Sequence, residues 1–168
     1  MNDSKILIVG DNIIDNFQVY TVKKVVDQVD GKGQTDTVIY YSPNTSNVEL
    51  ICSIPLKNFS EASLRKLITK EELKGLLHDL SDKAADEVWI DNNAKNGKEI
   101  LYLNNPTKTA RLLKNLWQKK KNNVVNYLKS DQEIFETALN HIVDEVVLVC
   151  NDTKVKVKEM IMKALDKN

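Results

Sequence analysis

Apolar and polar residues alternate along the first third of the chain. Beyond it, apolar residues recur every three to four positions. Lys5 to Val9, Phe17 to Val29, Asp36 to Ser42 and Val48 to Ile54 are rich in Val, Ile, Tyr and Thr, residues that suit a pleated, half-buried surface. Gly10-Asp11, Gly31-Lys32-Gly33 and Ser42-Pro43-Asn44 separate them as turns. Four or five short strands joined this way predict a small antiparallel sheet or barrel. Its core must be modest, because little chain precedes Pro55.

After Pro55 the period becomes helical. Leu73, Leu76, Leu77 and Leu80 share one face, and Thr69-Lys-Glu-Glu72 has the form of a capping box at that helix's start. Asn105-Pro106 predicts an N-cap followed by proline at the first helical position, and Leu112, Leu113, Leu116 and Trp117 mark the face to be buried. Ser130-Asp-Gln-Glu133 reads as a further capping box before Ile134, Phe135, Ala138, Ile142, Val143 and Val146. A last helix, capped by Asn151 or Asp152, carries Val157, Met160, Ile161, Ala164 and Leu165. From Asp82 to Asn104 the pattern weakens. Asp91-Asn-Asn-Ala-Lys-Asn-Gly97 disfavours helix, because Asn and Gly are poor in helix interiors, and a short helix is expected only from Lys98 to Leu103. The fold class is therefore α+β, a small antiparallel β domain over residues 1–58 and an all-helical domain over 59–168.

Composition narrows the function by exclusion. With 168 residues, 42% hydrophobic and 29% charged, the chain has an ordinary globular composition, and its formal net charge of zero creates no global attraction for nucleic acid or membrane. The apolar run Ile6-Leu7-Ile8-Val9 is too short for a secretory or membrane-spanning segment, so a cytoplasmic location without membrane contact is expected. Cys52 and Cys150 lack metal-ligand spacing, and His78 and His141 stand alone on their helices. Gly31-Lys32-Gly33 lies between strands and fails the context of a phosphate loop. No nucleophile, base and orienter converge, so neither an enzyme nor a cofactor is expected.

Taken in order, several short features resemble the CarD family of bacterial transcription regulators. They are Val9-Gly10-Asp11 after a first apolar segment, the pair Ile54-Pro55, and Leu64-Arg65-Lys66-Leu67-Ile68 leading into the Glu-rich helix start at Thr69. An isolated Trp89, then Leu116-Trp117-Gln-Lys-Lys-Lys121, and the Ala138 helix followed by a short final one complete the set. The resemblance spans roughly residues 5 to 167. It implies a Tudor-like β domain that docks on the β subunit of RNA polymerase through a sheet edge, here Ile51, Ser53 and Ile54. It also implies a helical domain that touches promoter DNA and stabilises the open promoter. The chain departs from the family in three places. Asp15-Asn16-Phe17-Gln18-Val19 replaces a Tyr-Pro-x-x-Gly turn, Cys52 and Ser53 stand where basic residues are usual, and Trp89 is followed by Ile-Asp-Asn-Asn instead of arginines.

The implied DNA-contacting set is Trp89, Lys95, Lys98, Lys108, Arg111 and Lys114. Trp89 has two readings, a wedge at an unstacked base step or a side chain packed inside the protein. Asp79, Asp82, Asp86, Glu87 and Asp91 near it in sequence oppose only Lys83, which disfavours phosphate. The segment from Lys108 to Lys121, with no acidic residue between Asn104 and Lys129, is the best local phosphate-binding candidate. Its competing use is charge pairing with the acidic helix that follows, at Asp131, Glu133, Glu136, Asp144 and Glu145. Two functions thus stand side by side: a CarD-like regulator bound to polymerase and promoter DNA, and a CarD-like protein-interaction module that has lost DNA contact.

Overall fold

Ile13 and Ile14, at the centre of the first strand, are both buried, and Ile13 belongs to the core of the sheet. The structure is a computed structural model that describes residues 7–15, 18–29, 31–44, 50–59, 61–62, 64–82, 94–122 and 127–167. Strands β1 (Asn12–Asp15), β2 (Gln18–Val29), β3 (Thr35–Pro43), β4 (Cys52–Pro55) and β5 (Arg65–Lys66) form one antiparallel sheet in the order β4-β3-β2-β1-β5. Helices α1 (Lys70–Ser81), α2 (Ala94–Tyr102), α3 (Pro106–Lys121), α4 (Lys129–Cys150) and α5 (Lys154–Asp166) follow. The chain is thus α+β, with an N-terminal antiparallel sheet and C-terminal helices. It divides into two compact units, Met1–Leu67 and Ile68–Asn168. That division falls later than residue 58, because Arg65 and Lys66 pair with Ile14 and Ile13 and extend the sheet past the point where the strand pattern ends.

The first strand differs from the expected Lys5 to Val9. Leu7, Ile8 and Val9 lie outside any strand, and the strand begins after a turn. Gly10 takes φ 96°, a region open to glycine, which lets its N–H donate to the Val22 carbonyl at 2.9 Å. The Asp11 carboxylate then accepts the Ile8 N–H at 3.1 Å. Leu7 still reaches the core with Ile13, Tyr20, Val22, Ile39, Tyr41 and Leu64.

A bulge decides which β2 residues face that core. Val22 pairs with Tyr41 and Lys24 with Tyr40, so Lys23 is the extra residue. Side-chain parity reverses there. Tyr20 and Val22 point inward before the bulge and Val25 after it, while Lys24 lies on the outer face with its ammonium 5.9 Å from the Tyr40 ring centroid. Within the core the Tyr20 and Tyr41 rings meet edge to face at 5.4 Å. The Tyr41 hydroxyl donates to Asp15 at 3.1 Å, and burial followed by this carboxylate raises its pKa above the ordinary value.

In the helical unit the caps at α1 and α3 form as expected. Thr69 Oγ1 accepts the Glu72 N–H at 3.1 Å while Glu72 accepts the Thr69 N–H at 2.7 Å, and Asn105 accepts the Lys108 N–H at 3.0 Å ahead of Pro106. The Ser130 to Glu133 capping box does not form. Helix α4 starts at Lys129, and Asp131 takes the third position, accepting the Leu128 N–H at 2.9 Å. Asn151 ends α4 in the left-handed conformation (φ 53°), and Thr153 caps α5 through the Lys156 N–H, so neither Asn151 nor Asp152 holds the cap.

Helix α2 begins at Ala94 and includes Gly97, within a segment whose sequence disfavours helix. Packing supplies the reason. Gly97 is buried, and a Cβ built on it would stand 3.1 Å from two carbons of Ile134. Glycine lets α2 approach α4 closely enough for this contact to offset its weak helix propensity. Where the unit begins, the buried Glu145 carboxylate accepts the Ile68 N–H at 2.8 Å, tying the start of the helical unit to the C-terminal half of its longest helix.

Candidate functional site

The sheet edge is built by parity and order. β4 pairs only with β3 among the described strands, in the register Tyr41↔Cys52, Tyr40↔Ser53, Ile39↔Ile54 and Val38↔Pro55. Cys52 and Ile54 turn toward the core and pack against it. Ser53 is exposed on the other face, and Ile51, just ahead of the strand, is 67% exposed. Two of the three expected edge residues thus present themselves outward, while Ile54 is a wall of the core that holds the strand in place. Leu50 and Leu56 flank the edge with exposed apolar side chains. Behind the edge, the outer face continues as a row of half-buried Val26, Val38 and Pro55 placed across β2, β3 and β4.

The basic segment of the helical unit is largely committed inside the protein. Lys114 is 1% exposed, and its ammonium donates to the carbonyl of Asp79 at 3.2 Å and to that of Asp82. These carbonyls close α1, where the helix dipole places partial negative charge, so the cation stabilises that terminus. Lys114 is therefore not a surface phosphate contact. Lys119 pairs with Asp131 at 2.7 Å, with the two side chains 13% and 6% exposed, and Lys121 pairs with Asp166 at 3.2 Å. Asp131 thus holds a lysine and caps α4 at once. Pairing with the acidic helix, the competing use of the basic run, is what happens to Lys119.

Trp117 stacks on Phe135 with ring centroids 5.7 Å apart and planes 20° apart, under the ammonium groups of Lys120 and Lys121, each 5.8 Å from its ring centroid. It is half-buried at the α3–α4 seam, while Thr109, Ala110, Leu113, Lys114 and Leu116 form the deeply buried face of α3. A cation over an indole face is attracted by the ring quadrupole, so these lysines cover the tryptophan.

Lys98, Lys108 and Arg111 remain exposed, on the two mutually packed helices α2 and α3. No acidic residue stands in the first turn of α3. Lys95 lies in the first turn of α2, with its side chain outside the described residues, and Trp89 lies outside them altogether. Of the six residues expected to contact DNA, three are placed as surface cations, Lys114 is buried, and Trp89 and the Lys95 side chain lie outside the described residues. His78 is exposed beside Asp79, whereas His141 is largely buried on α4, and desolvation pushes its pKa below the ordinary value despite the opposing pull of Asp144. Among the described residues, no group of three or more His, Cys, Asp or Glu side chains is placed to hold a metal ion, and no helix is long and apolar enough to cross a membrane. No protein-family model matches the chain, and comparison with curated proteins returns no match.

Proposed function

We propose that this chain is a divergent, CarD-like transcription regulator, not an enzyme. It acts in the cytoplasm by docking on the RNA polymerase β subunit and stabilising the promoter complex. The observation that carries the reading is the β4 edge. A strand with no described neighbour on its outer side, flanked by exposed Leu50, Ile51 and Leu56, is a template for strand addition. Backbone pairing supplies affinity in that mode, and the flanking apolar side chains add specificity. On this reading Lys98, Lys108 and Arg111 give weak backbone contacts to promoter DNA. A few such contacts position a duplex without reading its sequence.

A second reading, a CarD-like interaction module without DNA contact, is favoured by the internal use of Lys114 and Lys119. One set of measurements separates them. Purified β-subunit fragments should retain the wild-type chain and lose a folded Ile51→Pro variant, which cannot offer that backbone donor and carries a ring where the added strand would lie. Unchanged circular dichroism is the control, and full retention of the folded variant would place the contact elsewhere. A gel shift across salt concentrations, with and without polymerase, then tests DNA contact. Loss of roughly 0.9 log–log slope unit per removed cation in Lys108→Ala and Arg111→Ala supports the first reading. A slope near zero supports the second. Trp89→Ala, scored by open-complex lifetime per folded molecule, distinguishes a DNA wedge from a packing residue.

A further inference from the structure

Helices α1 and α5 pack side by side and leave an open groove of about 600 Å³ between them. Its apolar surface comes from Leu77, Met160 and Ala164. Leu77 and Met160 belong to apolar stripes that otherwise face the helical core, but both remain half-buried here. Three lysines stand around this surface, Lys156, Lys163 and Lys167. With Met160 they fall at intervals of four, three and four residues, which places them along one face of α5.

Two of the three rim lysines are not neutralised in the way seen elsewhere in the unit. Lys119, Lys121 and Lys154 each pair with a carboxylate, as does Lys156 with Asp152 at 3.4 Å. Lys163 and Lys167 form no ion pair among the described residues. Among the described residues Glu159 is the one acidic side chain lining the groove, so with Lys156 held by Asp152, Lys163 and Lys167 against Glu159 leave one net positive charge.

We propose that this groove docks an acidic amphipathic helix of a partner protein. Apolar side chains at i, i+3, i+4 and i+7 of such a helix would fill the space over Leu77 and Met160, while its flanking Asp and Glu meet Lys163 and Lys167. Helix α5, at 13 residues, presents about 20 Å of length, enough for three to four turns of the partner. Met160 suits the role because its unbranched thioether adapts to a partner's shape. An apolar surface argues against nucleic acid as the occupant, since phosphate contact gains nothing by covering leucine and methionine. The inference is independent of the sheet edge and of the regulatory reading built on it.

The test uses the full chain and three fluorescein-labelled 15-residue peptides. Each carries Leu in an i, i+3, i+4, i+7 stripe, in a different register, with Glu at the remaining positions. Matched peptides carry Lys in place of Glu. Fluorescence anisotropy should show saturable binding of at least one Glu peptide, with shifts of the Leu77 and Ala164 amide resonances, and no binding of its Lys counterpart. The K163E/K167E double variant should bind about tenfold more weakly, because each reversal converts an exposed attraction into a repulsion. Raised salt should weaken the wild-type complex. These two lysines are solvent-facing, so the variant should melt as the wild type does. Met160→Glu should also abolish binding.

Three outcomes would overturn the proposal. The first is no binding by any Glu peptide, or equal binding by the Lys peptides or by K163E/K167E. The second is binding of a duplex DNA probe that is lost in K163E/K167E while no peptide binds. The third is self-association by sedimentation that is lost in the same variant, which would make a second copy of the chain the occupant.

Discussion

Replacing Lys114 by Met and by Ala separates a structural ammonium from a DNA contact. The wild-type side chain is 1% exposed and ends on the Asp79 and Asp82 carbonyls at the end of α1. Ala removes three buried methylenes, about 0.8 kcal/mol each, or roughly 2.4 kcal/mol together. Hydrogen bonds from a charged donor add about 1.5–3 kcal/mol, partly offset because the charge no longer has to be desolvated. Lys114→Ala should therefore cost about 3–5 kcal/mol. Lys114→Met keeps the length of the stem and loses only the ammonium, so it should cost about 1–2 kcal/mol, much of it from the two carbonyls left to find water. Urea unfolding followed by helical circular dichroism measures both. DNA binding, where present, should keep its salt slope per folded molecule. Wild-type stability in Lys114→Met, together with a salt slope reduced by about one unit, would refute this reasoning and restore Lys114 to the surface set.

Trp117→Ala should destabilise the helical unit by about 1.5–3 kcal/mol, below the 3–5 kcal/mol of a fully buried tryptophan, because the indole is half-buried against Phe135; a melting temperature within a degree of wild type would exclude the stacking role. Gly97→Ala gains up to about 1 kcal/mol of helix propensity but places a methyl 3.1 Å from Ile134, so it should fail to stabilise unless Ile134 is shortened to Val; stabilisation of the single variant would show that the helices separate freely. His141 has its pKa lowered in the fold, so the unfolded chain binds the proton more readily, and stability should be full above the ordinary histidine pKa and fall as pH drops through and below it. His141→Gln should flatten that acid-side slope in urea titrations, and an unchanged slope would assign it to other groups.

Local signals in the chain were sufficient for the type of most elements and for two of the caps, but not for Leu7 to Val9, which lie outside any strand, nor for the start of α2. Thr69 with Glu72, and Asn105 with Pro106, act over a single turn, so the residues that decide the geometry are sequence neighbours. The change from a period of two to one of 3.6 likewise separates sheet from helices, because burying one face is a local requirement on spacing. The start of α4 was misplaced because Ser130 to Glu133 and Leu128 to Asp131 are overlapping frames, and the Asp131 carboxylate is held in the second by its ion pair with Lys119.

At the candidate site, the outward placement of Ile51 and Ser53 followed from the strand that ends at Ile54-Pro55. That this strand lies at the edge was expected from the family resemblance alone, not from its residues, and it is the pairing order β4-β3-β2-β1-β5 that puts it there. The bulge at Lys23 depends on the partner strand, and the helical state of Gly97 depends on Ile134 across the α2–α4 contact. The fate of the basic run was illegible for the same reason. Lys108, Arg111, Lys114 and Lys119 look alike along the chain, and each is exposed, buried or paired according to what packs opposite it. A side chain's type is local information, whereas its desolvation and its partner are set by residues distant in sequence, so the chain by itself specified the helices and the tertiary structure decided which of their charges remain at the surface.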